Sequence, residues 1–131
     1  MVFEWIMGNF LSFMVMGLFS VFWLSFGMLQ LPGLGLASAY ATAADPTGMS
    51  SPEYNTVLAL YLVVWGFALL TFFCFTIMVN ILFSLIFFFV TIGAFVLAGA
   101  YFNVAQANFD RAMQLQKAGG AILFIVACLG W

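Results

Sequence analysis

Residues 54–102 read YNTVLALYLVVWGFALLTFFCFTIMVNILFSLIFFFVTIGAFVLAGAYF, without a single Asp, Glu, Lys or Arg. A helix that crosses the hydrocarbon core of a bilayer needs about 20 consecutive apolar residues. This stretch is long enough for two, and Asn80 is the polar interruption between them. The pattern predicts two membrane-spanning helices, over about residues 54–79 and 81–102, joined by a link so tight that they must run antiparallel. Just upstream, Ser51-Pro52-Glu53 has the chemistry of a helix start. Serine caps the free backbone N–H groups, proline suits the first helical position, and an acid favours the positive end of the helix dipole.

Outward from this hairpin the same logic applies. Residues 10–31 (FLSFMVMGLFSVFWLSFGMLQL) form a further uncharged span, preceded by Asn9 and ended by Pro32-Gly33. The connector from Pro32 to Ser51 is rich in small residues, and Asp45-Pro46-Thr47-Gly48 reads as a β-turn. Asn103–Lys117 is the most polar segment and is expected to be a loop. A last apolar run, 118–131, is too short to cross a bilayer comfortably, so the fourth span is expected to be truncated. The fold class is therefore all-α: a polytopic transmembrane helix bundle forming a single membrane domain over residues 1–131, with spans at about 10–31, 54–79, 81–102 and 118–131.

The composition agrees. Charged residues make up 5% of the chain, against roughly 25% in soluble domains. The six charges, Glu4, Asp45, Glu53, Asp110, Arg111 and Lys117, all fall outside the three long apolar runs. No basic run is present that would bind nucleic acid. There is no histidine, and Cys74 and Cys128 lie within apolar runs, where they read as small hydrophobes rather than a disulfide pair. Nothing resembles a nucleophile–base pair, a phosphate loop or a metal cluster. No enzymatic activity, metal or cofactor is expected, and membrane lipid is the expected surrounding. Small residues in the third span, such as the Ala94/Ala98 pair, suggest close helix packing.

Several short motifs occur in an order that resembles a known family. Glu4-Trp5-Ile6-Met7-Gly8-Asn9 followed by Phe22-Trp23-Leu24-Ser25-Phe26-Gly27 is similar to the third helix of the acetate uptake transporters. These include the bacterial YaaH-type acetate/succinate–proton symporters and their fungal relatives. Leu31-Pro32-Gly33-Leu34-Gly35 resembles the following loop, Tyr61-Leu62 with Trp65-Gly66 the fourth helix, and Phe87-Phe88-Phe89-Val90-Thr91 the fifth. Leu115-Gln116-Lys117-Ala118-Gly119-Gly120 and Leu129-Gly130-Trp131 resemble the start and middle of the sixth. The fungal branch fits best, and the resemblance spans the whole chain. It implies the third to sixth helices of a six-helix protein, hence a C-terminal portion of such a transporter.

The resemblance carries functional expectations. It implies proton-coupled transport of acetate or another small carboxylic acid across the plasma membrane, by a homo-oligomer, a hexamer in the family. Ammonia export and a non-transporting membrane fragment are the alternatives. Family members have a pore in each subunit, pinched by an apolar constriction. The matching positions here are Phe19, where the family usually has Tyr, and Val90, where it often has Leu. A ring of apolar side chains can gate by dewetting, which stops ions but passes a small neutral acid. The family topology also places the Arg111/Lys117 segment outside the cell, although the positive-inside rule taken alone would place it in the cytoplasm.

Glu4, Asn9 and Ser12 are the candidate pore-mouth residues. A carboxylate at membrane depth is a functional candidate by default. On one continuous helix, Glu4 lies about 60° around and roughly 22 Å along from Phe19. Glu4, Gly8, Ser12 and Phe19 would then share a face. Asn9, Asn80 and Asn103 are expected to be helix caps.

Overall fold

The computed structural model describes residues 2–131. Five α-helices follow one another: α1 (Val2–Ile6), α2 (Phe10–Gln30), α3 (Pro52–Thr76), α4 (Ile81–Ala105) and α5 (Phe109–Gly130). Among the described residues there is no strand. The four helices α2 to α5 are each long and apolar enough to cross a membrane. With 21 residues, α2 is the shortest of the four, about 31 Å from end to end.

The boundaries follow from the caps. Ser51 accepts a hydrogen bond from the Tyr54 amide and Pro52 is the first helical residue, so α3 starts where the sequence signals it. It ends at Thr76, short of Val79, because Ile77–Val79 turn sharply and the Thr76 carbonyl accepts the amides of both Val79 and Asn80. Asn80 then caps α4 by accepting from the Leu82 amide at 2.9 Å.

Three sequence expectations change. The first is the polar segment 103–117. It is not a loop: α4 runs on to Ala105 and α5 already begins at Phe109, so the fourth apolar run is the inner part of a 22-residue helix. Arg, Ala, Met, Gln, Leu and Lys are all good helix formers, and Asp110 sits in the first turn, where the helix dipole favours an acid. The second is Asn103. It does not cap a helix end but lies inside α4, where its side-chain amide donates to the Gly99 carbonyl at 2.8 Å. The third is the start of the first span. The chain breaks at Gly8, whose φ is +72°, with the Asn9 amide bonded to the Glu4 carbonyl and the Gly8 amide to the Trp5 carbonyl. That double hydrogen bond ends α1 as a Schellman motif. Glu4 and Phe19 are consequently on two different helices, and the continuous face expected of them does not exist.

Helices α3, α4 and α5 form one tightly packed unit of antiparallel neighbours. Where α3 meets α4, the Phe95 ring lies so close to Gly66 that a β-carbon there would be 2.9 Å from it. Where α4 meets α5, the Leu97 side chain approaches Gly119 to the same degree. Ala59, Ala94, Ala98 and Ala100 are buried along these seams. Small residues allow helix backbones to approach, which is the usual basis of helix association in lipid.

Helix α2 is attached differently. It has no buried residue and makes few close backbone approaches to the rest. Side chains bridge the gap instead. Phe22 packs edge-on to Trp65 (4.8 Å between ring centroids) and stacks on Tyr61 (6.2 Å). Phe19 reaches Phe87 on α4 (6.0 Å).

Candidate functional site

Propping one helix on large rings leaves space behind them. A cavity of about 480 Å³ lies among all four long helices. Phe19, Phe22, Trp23 and Phe26 wall it on α2, and Leu62, Trp65 and Leu69 on α3. Val90, Ala94 and Leu97 face it from α4, and Leu123, Val126 and Ala127 from α5. None of these side chains is ionisable, and the only polar groups among them are the indole N–H groups of Trp23 and Trp65. An ion in such a space would lose its hydration without compensation, whereas a small neutral solute would not carry that penalty.

Two buried clusters pack the bundle along its length. Towards the start of α2, Leu69, Phe87, Val90 and Ala94 form a buried cluster joined by Phe19 and Phe72. Phe87, only 1% exposed, stacks on Phe72 at 5.8 Å. At the opposite end, the loop between α2 and α3 folds over the bundle. Ala37 of that loop packs with Tyr54 and Leu58, against Leu29, Met49 and Tyr101. The Tyr54 hydroxyl donates to the Leu29 carbonyl, and the Gln30 side-chain amide donates to the Tyr101 hydroxyl at 3.1 Å.

The loop is held in shape by Asp45. Its carboxylate accepts from the Thr47 hydroxyl (2.7 Å), the Thr47 amide (3.2 Å) and the Ser50 amide (2.7 Å). These bonds, the Thr47 hydroxyl first and then the Ser50 amide, lower the Asp45 pKa to about 2. Beside it, Gly48 has φ +69°, and a β-carbon there would lie 2.0 Å from the Ala37 carbonyl oxygen, so only glycine fits.

Of the five residues singled out from sequence, the structure brings four together as two separate pairs, and only one pair is at the cavity. Phe19 and Val90 face the same cavity from α2 and α4. Ser12 is half-buried on α2 and is not part of the cavity wall. Glu4 and Asn9 lie around the break between α1 and α2, where the Asn9 side-chain amide donates to the Glu4 carboxylate at 2.9 Å. Sequence reasoning missed the Ser25–Tyr61 pair, whose hydroxyl oxygens are 2.6 Å apart across the α2–α3 gap. The signal available was two hydroxyl side chains within uncharged spans. Pairing them requires the register of α2 against α3, which the sequence does not supply. Among the described residues no cluster of His, Cys, Asp or Glu is suited to a metal ion, and Cys74 and Cys128 are free thiols.

Comparison with known proteins adds a second line of evidence. The model of the GPR1/FUN34/yaaH family matches residues 1–131. Protein alcS of Aspergillus fumigatus is 31% identical over 132 residues, covering 99% of this chain and 48% of its own length. Acetate transporter protein patA of Penicillium expansum is 29% identical over 128 residues, or 98% of this chain and 49% of its own. Ammonia transport outward protein 2 of Saccharomyces cerevisiae is 32% identical over 113 residues, or 86% and 35%. The chain thus spans about half the length, or less, of these curated relatives. No solved structure matches it.

Proposed function

Given that this chain belongs to the GPR1/FUN34/YaaH family, we propose that it serves the transport of acetic acid or a similar small monocarboxylic acid across a membrane, as the neutral molecule. The observation that carries this reading is the cavity itself: about 480 Å³, walled by apolar and aromatic side chains, with Phe19 and Val90 facing it from different helices. A carboxylate anion in that space would be stripped of water with no cation to pair with, a state costing several kcal/mol or more. The protonated acid avoids that penalty. Carrying it moves one proton with each acetate, so coupling to protons follows from the form transported rather than from a titrating side chain in the cavity. In this reading Phe19 and Val90 form the constriction, residence is in the plasma membrane, and the working form is a homo-oligomer, a hexamer by family resemblance. Glu4, Asn9 and Ser12 lie on the approach to the α2 end of the path.

The relative named as an acetate transporter supports this substrate. The relative named for outward ammonia transport supports a second one, since ammonia is also small and neutral and meets the same wall chemistry. The test is initial-rate uptake of radiolabelled acetate into liposomes containing the protein, against protein-free liposomes, over a range of outside pH. The expected rate rises with the concentration of undissociated acid. A rate no greater than that of protein-free liposomes overturns the reading. Efflux of ammonia without acetate uptake would favour the second substrate.

A further inference from the structure

A polar pair lies one layer behind the cavity wall and has no part in the constriction. Behind the rings of α2 and α3, the hydroxyls of Ser25 and Tyr61 meet at 2.6 Å. Both residues lie within uncharged spans, and both are half-buried. The Tyr61 ring is stacked on Phe22 and Phe26 and set against Trp65, three residues that wall the cavity.

The hydrogen-bond inventory of the pair is uneven. Ser25 has one hydroxyl proton, and its oxygen lies 2.8 Å from the Val21 carbonyl and 3.1 Å from that of Phe22. With that proton given to the α2 backbone, the common habit of a helical serine, Tyr61 donates its own proton to the Ser25 oxygen. A phenolic oxygen also has acceptor capacity, and its only hydrogen-bond partner among the described residues is Ser25. Tyr61 therefore offers a hydrogen-bond acceptor beside an otherwise apolar cavity.

We propose that the Tyr61 hydroxyl, held in orientation by Ser25, is a polar binding station for the undissociated acid at the edge of the cavity. Resting on the transport reading above, it names the form of substrate recognised and the atom that recognises it. The O–H of a carboxylic acid donates to the free lone pair of the Tyr61 oxygen, while its methyl group lies against the neighbouring rings. The anion has no proton to donate, so the same group that binds the acid discriminates against acetate. Ser25 is a positioning residue, because it fixes the direction of the Tyr61 O–H and does not itself receive the acid.

Two variants separate this from a plain tie between α2 and α3. Tyr61→Phe and Ser25→Ala both break the 2.6 Å bond, but only the first removes the acceptor. Saturation-transfer NMR from the protein in micelles to the methyl group of acetic acid reads binding directly. For the unaltered protein, the expected transfer grows as pH falls through the acid's own pKa. Tyr61→Phe is expected to weaken it about tenfold, on the scale of one buried hydrogen bond, and Ser25→Ala to keep most of it. Three results overturn the proposal: no transfer to the unaltered protein, full transfer to Tyr61→Phe, or equal loss in both variants. Flux in liposomes is a separate readout. Tyr61-dependent binding without flux would uphold the station and refute the transport reading.

Discussion

The α3–α4–α5 unit and helix α2 are built from the same apolar alphabet and end up packed in opposite ways. Along the first, Gly66, Gly119 and a series of alanines let backbones approach until a β-carbon no longer fits at the two glycines. Along the second, Phe19, Phe22 and Phe26 hold α2 at arm's length, and the remaining space is the cavity. In lipid there is little hydrophobic force between helices, so side-chain size decides how closely they pack. Small residues make a rigid wall and large rings make a chamber.

Adding bulk to each side in turn sharpens this contrast. Gly119→Leu drives a side chain into Leu97 at the α4–α5 seam. It is expected to lower the stability of the protein in micelles by about 3 kcal/mol, the upper range for overpacking, seen as an earlier thermal unfolding. Ala127→Leu adds the same side chain on α5, but at the cavity wall. The expected loss there is under about 1 kcal/mol, because the new methyl groups enter empty space. Equal losses would show that the two sides do not differ in packing.

The loop over the chamber gives a smaller, local effect. The Asp45 pKa is lowered to about 2 from an ordinary value of 3.8. A lowered pKa means that the charged form is favoured in the folded loop. Its stabilisation is complete above the ordinary pKa and is lost as pH falls through about 2. Amide hydrogen exchange of Thr47 and Ser50 is therefore expected to accelerate between about pH 4 and pH 2, relative to the bundle amides. Asp45→Asn should show faster exchange already at neutral pH.

The smallest effect concerns the turn between α4 and α5. Ala107 has φ +60°, with the Asn108 amide bonded to the Asn103 carbonyl and the Ala107 amide to the Val104 carbonyl. Alanine is strained in that conformation by about 1 kcal/mol or more, while glycine gives back part of the gain through chain entropy. Ala107→Gly is expected to stabilise the protein by about 0.5 kcal/mol, measured as a higher unfolding midpoint. It tightens the α4–α5 side and should leave the chamber unchanged.

The helices themselves were far more legible in the sequence than the way they pack against one another. Charge-free runs located α2, α3 and α4, and Ser51-Pro52-Glu53 and Asn80 marked real caps. These signals are local, since lipid solvation requires long apolar runs and helix ends require partners for free N–H groups. The start of α5 was missed because a polar first turn at the membrane surface looks like a loop in a hydropathy reading. The break at Gly8 was missed because a positive φ leaves no periodic trace. Phe19 and Val90 were brought forward by family resemblance, and the register of α2 on α3 and α4 places both on one cavity. That same register made the Ser25–Tyr61 pair invisible beforehand, because it depends on which rings stand between the two helices.

The most direct test of the account is whether solute passes through the chamber between α2 and the packed unit. Val90→Phe puts a ring into it from α4, opposite Phe19. With the protein in liposomes, acetate uptake is expected to fall about tenfold or more, a rise of about 1.4 kcal/mol in the barrier, in protein that is still folded although the extra ring crowds the cluster around Val90 and lowers the unfolding temperature. Undiminished uptake by a folded Val90→Phe protein would contradict the account, because it would put the path somewhere else.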